Sequence, residues 1–281
     1  MTKCQLMSGT MKGYAAHLRQ EEKSAATIEK YLRDLGAFAR WLNGRAITKD
    51  MTAHWKVYLE QQGYSPVTIN AKLSALNSLL EFLGLEECRV KFLKIQRRVF
   101  RDARRELGKG EYKRLIAAAH DLGRERLELL VETIGATGIR VSEVAYITVE
   151  AAWHGKAEIA LKGKIRVILL PGKLRRKLLK FAKKQNTASG AIFRTKSGKE
   201  LGRRQIWAEL KALSKHAGVE GEKVFPHNLR HLFATVFYQA CKDIAKLADV
   251  LGHSSIETTR IYLVTSGAEH QRELERLGLV Q

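Results

Sequence analysis

Cysteine is scarce in the 281-residue sequence: Cys4, Cys88 and Cys241 stand far apart and share neither a metal-ligand nor a redox spacing. This argues against a disulfide framework or a zinc ribbon and points to a reducing compartment. Long apolar runs are missing too. None approaches the roughly eighteen residues of a membrane-spanning helix, and the first residues lack the hydrophobic stretch of a secretion signal. A soluble, cytoplasmic protein is expected. No Gly-x-x-x-x-Gly-Lys-Ser/Thr run occurs, so no ATP-binding loop is expected, and carboxylates do not cluster as a two-metal nuclease requires. Acidic residues as a class fall short, with 29 Asp and Glu against 50 Lys and Arg, a net charge of +21 and a pI near 10.0. Such an excess is the electrostatic footprint of a nucleic-acid partner, an anionic membrane surface being the alternative.

What is present is ordinary globular material. The hydrophobic fraction is 45%, ample for buried cores, and the length is about twice that of a usual single domain. From Ser24 to Leu42, the residues Ile28, Tyr31, Leu32, Leu35, Phe38, Ala39 and Leu42 recur at steps of three and four, one face of a helix with Ser24 as its cap. A shorter helix is predicted around Tyr14, Ala15 and Leu18, and another around Trp55, Tyr58 and Leu59. Ser65-Pro66 opens a fourth, with Ile69, Leu73, Leu76, Leu80 and Leu83 inward. A basic connector follows, carrying Lys94, Arg97, Arg98, Arg101, Arg104, Arg105 and Lys109 against only Asp102 and Glu106. A flexible linker needs no such charge, whereas a strap crossing a phosphate backbone gains from each cation. The expected division is therefore a helical domain over residues 1–93, a linker over 94–109 and a second domain over 110–281.

In the second domain, helical periodicity over Tyr112–Ala119 and Leu127–Ile134 runs into Gly135-Ala136-Thr137-Gly138-Ile139-Arg140-Val141-Ser142-Glu143. Arg140 there either reaches an anion or makes a surface ion pair with Glu143. Two short apolar runs, Ala157–Leu161 and Ile165–Leu170, joined by Lys162-Gly163-Lys164, read as a β-hairpin with lysines at its tip. A basic helix over Lys173–Lys184, a brief strand at Ala191–Phe193 and a helix over Arg203–His216 complete the approach to three clusters. These are His227-Asn228-Leu229-Arg230-His231, Leu251-Gly252-His253-Ser254 and Thr258-Thr259-Arg260-Ile261-Tyr262.

His227 and His231 have the spacing of a zinc-binding pair. However, the hydrolytic zinc motif needs a glutamate where Asn228 stands, and Arg230 between the histidines repels a cation. No metal and no cofactor are expected. A helix that sets His227 and Arg230 three apart instead aims two donors at one anion, with His231 packing against a neighbouring helix.

Arg140 and Glu143 in Gly-Ile-Arg-Val-Ser-Glu, then His227-Asn228-Leu229-Arg230-His231, then Leu251-Gly252-His253, then Tyr262 nine residues on, resemble in order and spacing the boxes of the tyrosine recombinases, the phage integrase family. The first domain is similar to that family's helical, SAM-like core-binding domain. The implied fold is mainly α with a small β-hairpin (α+β). The implied chemistry is a site-specific recombinase acting without metal or ATP. Arg140 and Arg230 would grip the scissile phosphate, His253 would add a hydrogen bond, and Tyr262 would attack to leave a 3′-phosphotyrosine and a free 5′-hydroxyl. The resemblance gives His227 the proton of the phenol and Lys162 or Lys164 the protonation of the leaving 5′-oxygen, Lys162 being preferred from its place before Gly163. Glu143 would brace the site.

The partner implied is double-stranded DNA, held by a homotetramer on synapsed sites and exchanged through a Holliday junction, with the protein nucleoid-associated in the cytoplasm and no membrane involved. Integration, excision, inversion and dimer resolution all stay open. The tail from Ser266 to Gln281 carries more acid than base and the apolar Leu274, Leu277 and Leu279, which suits docking on a neighbouring subunit. A type IB topoisomerase, or a DNA-binding regulator without catalysis, are the rival readings.

Overall fold

The computed structural model describes residues 8–95, 105–161, 164–195, 197–262, 271 and 275–278, with only the backbone described for Ser8, Leu161 and Lys164. The fold is mainly helical with one small antiparallel sheet. It divides into two compact units, Met1–Arg97 and Arg98–Gln281. Among the described residues no helix is long and apolar enough to cross a membrane.

The first unit holds α1 (Ser8–Gln20), α2 (Ala25–Leu42), α3 (Lys49–Gln61), α4 (Pro66–Phe82) and a 3₁₀ turn at Glu86–Cys88. Each of α2, α3 and α4 starts where a hydroxyl satisfies an orphan amide: Ser24 accepts from Thr27, Thr48 from Met51 and Ser65 from Thr68. Tyr14, Leu18, Leu35, Phe38, Leu42, Leu59, Leu73, Leu76 and Leu80 form the core, and Trp41, Trp55 and Tyr58 extend it as a chain of ring contacts. Two asparagines one heptad apart on α4 fasten the segment that leaves the unit. Asn77 Nδ2 donates to the Val90 carbonyl and its Oδ1 accepts the Val90 amide, both at 2.9 Å. Asn70 does the same for Leu93, at 2.9 and 2.8 Å. A primary amide presents a donor and an acceptor side by side, so each asparagine replaces a missing neighbouring strand.

The second unit is built on α6 (Glu125–Thr137), against which α5 (Lys109–Asp121), α8 (Gly172–Lys184) and α10 (Pro226–Cys241) pack. Around it run α7 (Val149–His154), the hairpin of β1 (Lys156–Leu161) and β2 (Lys164–Leu169), α9 (Arg203–His216), α11 (Ile244–Leu251) and the single turn α12 (Ile256–Arg260). The apolar core runs through Leu115, Leu130, Ile134, Leu178, Phe181, Ile206, Leu210 and Leu229. α6 ends at Gly138, whose φ of 63° closes the last turn in the left-handed region, and an added Cβ would collide with the Phe233 ring.

β1 and β2 pair with Ala157 opposite Ile168 and Ile159 opposite Arg166. Ala157, Ile159 and Ile168 are buried, while Ile165, Val167 and Leu169 face outward. The strand expected at Ala191–Phe193 reduces to one bridge between Thr148 and Ala191. The reason is local: Thr148 turns at once into the N-cap of α7, its hydroxyl accepting from Ala151 at 3.1 Å, so no ladder can continue.

Asn77→Ala removes two buried hydrogen bonds and strands the amide and carbonyl of Val90. The first unit is expected to lose about 2–4 kcal/mol, read from the shift of its denaturant midpoint; a shift below about 0.5 kcal/mol would show that the exit segment holds without the clamp.

Candidate active site

Five pieces of backbone deliver the site. The left-handed end of α6 hands the chain to Arg140, which caps a 3₁₀ turn over Val141–Tyr146. β2 supplies Arg166, α10 supplies His227, Arg230 and His231, the turn after α11 supplies His253, and the end of α12 supplies Tyr262.

Glu143 is the carboxylate at the centre, 2% exposed. Its Oε2 accepts the Arg140 amide at 2.7 Å and its Oε1 accepts Arg140 Nη1 at 2.8 Å. The ion pair that the sequence offered as a surface feature is thus a reciprocal lock, in which the carboxylate both caps the turn and fixes the guanidinium. Arg140 Nη2 reaches on to the Gly252 carbonyl at 3.3 Å. Its side chain keeps 41% of its surface exposed, which leaves it open to an incoming anion.

Arg230 is buried, and Pro226 in the first turn of its helix pre-sets the geometry. Its Nη1 donates to the Gly138 carbonyl and its Nη2 to the Leu251 carbonyl at 2.8 Å and to His253 Nε2 at 3.0 Å. These contacts use three of the five guanidinium N–H groups. Accepting at Nε2 places the His253 proton on Nδ1, which then donates to the Thr259 hydroxyl at 2.8 Å. Tyr262 is 2% exposed and closes the cluster. Its ring lies nearly parallel to His253 at 5.9 Å, edge-on to His231 at 5.0 Å and tilted to His227 at 6.3 Å.

The electrostatics follow from crowding cations around one acid. Burial, then the charges of Arg230, Arg140 and Arg166 and the nearby His227, push His253 down to about 4. Partial desolvation of its ring, then Arg230, lowers His227, although that residue remains open to solvent. Burial lowers Arg230, with Arg140 acting the same way and Tyr262 and Glu143 opposing. Arg166 falls to about 10 through burial, with Glu143 opposing and Arg230 and Arg140 adding to the fall. An anion placed here would relieve all of these costs together.

The structure thus gathers Arg140, Glu143, His227, Arg230, His231, His253 and Tyr262 into one cluster. Lys162, Arg97, Arg98, Arg101 and Arg104 lie outside the described residues, as does most of the tail, and only the backbone of Lys164 is described. Lys94 is exposed at the end of the first unit; Arg105 is exposed in the second, its carbonyl accepting Asn228 Nδ2 at 2.7 Å. The basic helix α8 is partly neutralised, since Lys177 pairs with Glu132 and Lys184 with Glu125, both at 2.7 Å. Among the described residues no group of three or more His, Cys, Asp or Glu is placed to hold a metal.

Three participants escaped the sequence reading. Asn228 is buried and bonds the Arg105 and Lys223 carbonyls. Thr259 is buried and fixes the His253 tautomer. Arg166 faces the cluster from β2, donating Nη1 to the Leu251 carbonyl. None of the three carried a sequence signal, since alternation with the apolar Ile165, Val167 and Leu169 reads Arg166 as outward.

Comparison with known proteins agrees with this arrangement. Residues 105–268 match the Phage integrase family and residues 11–87 the Phage integrase, N-terminal SAM-like domain. The chain is 30% identical over 286 residues to the tyrosine recombinase XerA of Pyrococcus furiosus, covering 98% of this chain and 96% of that protein. It is also 30% identical over 280 residues to the tyrosine recombinase XerD of Brucella suis, covering 86% and 88%. Among solved structures, the XerH site-specific recombinase bound to its difH substrate shares the fold with a TM-score of 0.69 at 21% identity, over 95% of this chain and 84% of that one. A lambda integrase dimer bound to a COC′ core site gives 0.72 at 18%, over 92% and 78%. Matched in both units, and carrying Arg140, His227, Arg230, His253 and Tyr262 in one cluster, the chain belongs to the phage integrase family of tyrosine recombinases.

Proposed function

We propose that this site-specific recombinase cuts and rejoins duplex DNA through Tyr262, with Arg140 and Arg230 holding the scissile phosphate. The observation that carries the reading is the convergence of Tyr262, His253 and Arg230 around a surplus of cations in which Glu143 is the one carboxylate among the described residues. Forked guanidiniums match two non-bridging phosphate oxygens and stabilise the charge that builds at phosphorus when a fifth oxygen bonds. In the DNA-free state His253 orients Arg230 by accepting its N–H; donation from His253 to a phosphate oxygen requires a proton on Nε2, which an arriving anion favours. Tyr262 is buried, so engagement of DNA has to bring its hydroxyl to the phosphate. His227 takes the phenol proton, and Lys162 of the hairpin tip, with Lys164 as the alternative, protonates the leaving 5′-oxygen. The phosphotyrosine preserves the energy of the broken bond, so rejoining to a second strand needs no ATP. Lys94, Arg97, Arg98, Arg101, Arg104 and Arg105 contact the DNA backbone, and the protein works as a homotetramer on paired sites, resolving a Holliday junction, with its tail docked in trans.

Duplex sites enriched by the protein itself from random DNA, then nicked to trap the intermediate, are expected to give a covalent adduct. Tyr262→Phe should abolish the adduct while binding persists. No adduct with the unaltered protein would overturn the reading, and relaxation of supercoils without strand exchange would mark a topoisomerase instead.

Sulfur in place of the 5′-bridging oxygen identifies the proton donor, because a thiolate leaves without help, thiol pKa values being about 8.5. Lys162→Ala should slow adduct formation on ordinary DNA about 100-fold or more and recover with sulfur. A defect in Lys162→Ala that sulfur leaves untouched, with recovery in Lys164→Ala, would transfer the role to Lys164.

The pH dependence has a definite sign. A general base works unprotonated, and the lowered pKa values of His227 and His253 keep both rings neutral in the free protein. Under subsaturating DNA, where the free protein's groups are reported, cleavage should stay level from about pH 8 to about pH 6.5 and fall only below. An acid limb centred above about pH 6.5 would remove His227 from the role of base.

A further inference from the structure

Arg166 is an anomaly of the second unit that the reaction scheme does not use. It sits on the inward face of β2, opposite Ile159, between the outward Ile165 and Val167. Its side chain is 12% exposed. Nη1 donates to the Leu251 carbonyl, and Nη2 stands 3.5 Å from Glu143 Oε2, an ion pair outside hydrogen-bond geometry. Nε and Nη2 are buried and have no hydrogen-bond acceptor among the described residues. A guanidinium so enclosed and so incompletely satisfied is costly, and an apolar side chain of similar volume at such a position is commonly neutral or stabilising. Stability alone gives no reason for an arginine here.

Its surroundings supply one. The Leu251 carbonyl receives both Arg166 and Arg230, the Gly252 carbonyl receives Arg140, and His253 receives Arg230. Three guanidiniums from three separate elements thus meet on one three-residue turn. Gly252 is what lets Arg166 reach it, since at φ 62° an added Cβ would stand 2.5 Å from Arg166 Cδ. Glu143, locked to Arg140, lies within ion-pair distance on the other side. Arg166 is therefore the one described side chain that runs from the hairpin into both the phosphate-binding turn and the Arg140–Glu143 lock.

We propose that Arg166 is a positioning residue for strand cleavage: it braces the Leu251–His253 turn against β2 and Glu143, so that Arg230, His253 and Arg140 keep the spacing a phosphate requires. The proposal rests on the recombinase reading above. Arg166 does not touch the substrate; it acts through the turn. Its charge bears on His253 as well, whose other facing groups are Arg230, Arg140, His227 and Tyr262.

The test compares Arg166→Met and Arg166→Lys with the unaltered protein, full length, on nicked duplex sites, measuring the adduct rate at saturating DNA, the half-saturating DNA concentration and the thermal midpoint. Misplacement by about 1 Å costs a reaction on the order of 100-fold. Arg166→Met is therefore expected to slow cleavage about 10- to 100-fold, to leave half-saturation within about threefold and to leave the thermal midpoint unchanged or raised. Arg166→Lys, which keeps the charge and one reach to the Leu251 carbonyl, should recover part of the rate. Cleavage by Arg166→Met within about threefold of the unaltered protein would overturn the proposal. So would a loss that follows a fallen thermal midpoint, which is a structural role, or a loss carried entirely by half-saturation, which is DNA holding. Failure of the recombinase reading is separable, because it would show as no Tyr262-dependent adduct from the unaltered protein.

Discussion

One carboxylate among three guanidiniums is the constraint on which the second unit depends. Glu143 is buried, fully engaged by Arg140 and paired with Arg166, and among the described residues no second acid side chain joins it at the centre of the cluster. The arginines are held instead by the carbonyls of Gly138, Leu251 and Gly252. The choice of acceptor decides what the site can do. A carbonyl dipole orients a guanidinium and satisfies an N–H without cancelling its charge, whereas a carboxylate would neutralise it and repel a phosphate. Two left-handed glycine turns, at Gly138 and Gly252, thus expose backbone oxygens to arginines. The result is a concentrated positive charge held in place before any anion arrives, the arrangement that costs least reorganisation during reaction.

The helices were legible because their signals are local. Ser24 and Ser65 announce their own N-termini, and the apolar face of α2 buries in the spacing the sequence shows. Arg140, His227, Arg230, His253 and Tyr262 were legible as a set because their order and spacing resemble a family, although Arg140 and Tyr262 stand 122 residues apart, from 140 to 262. Nothing in the spacing alone could place them in contact. Asn77, Asn228 and Thr259 were illegible for a related reason. Their partners are backbone groups far along the chain or a ring nitrogen across a turn, and backbone atoms leave no trace in side-chain patterns.

The hairpin shows how a correct element can carry an unexpected face. Alternation alone would put Ile165, Val167 and Leu169 inward and leave Arg166 in water. The opposite holds, because Ala157, Ile159 and Ile168 fill the space against the core, and side-chain parity is fixed for the whole strand once one residue is placed. Ile165 and Leu169 remain outside, 81% and 75% exposed. The inward face thus combines the apolar packing of Ala157, Ile159 and Ile168 with one arginine that reaches the Leu251 carbonyl.

The same economy appears where the basic connector begins and ends. Asn70 fastens Leu93 on the first unit, and Asn228, the neighbour of His227, fastens the Arg105 carbonyl on the second. Each end is thus bonded to a helix, and the second to the helix that carries Arg230. The Asn228 amide thus ties the Arg105 backbone to the turn of α10 that also carries Arg230.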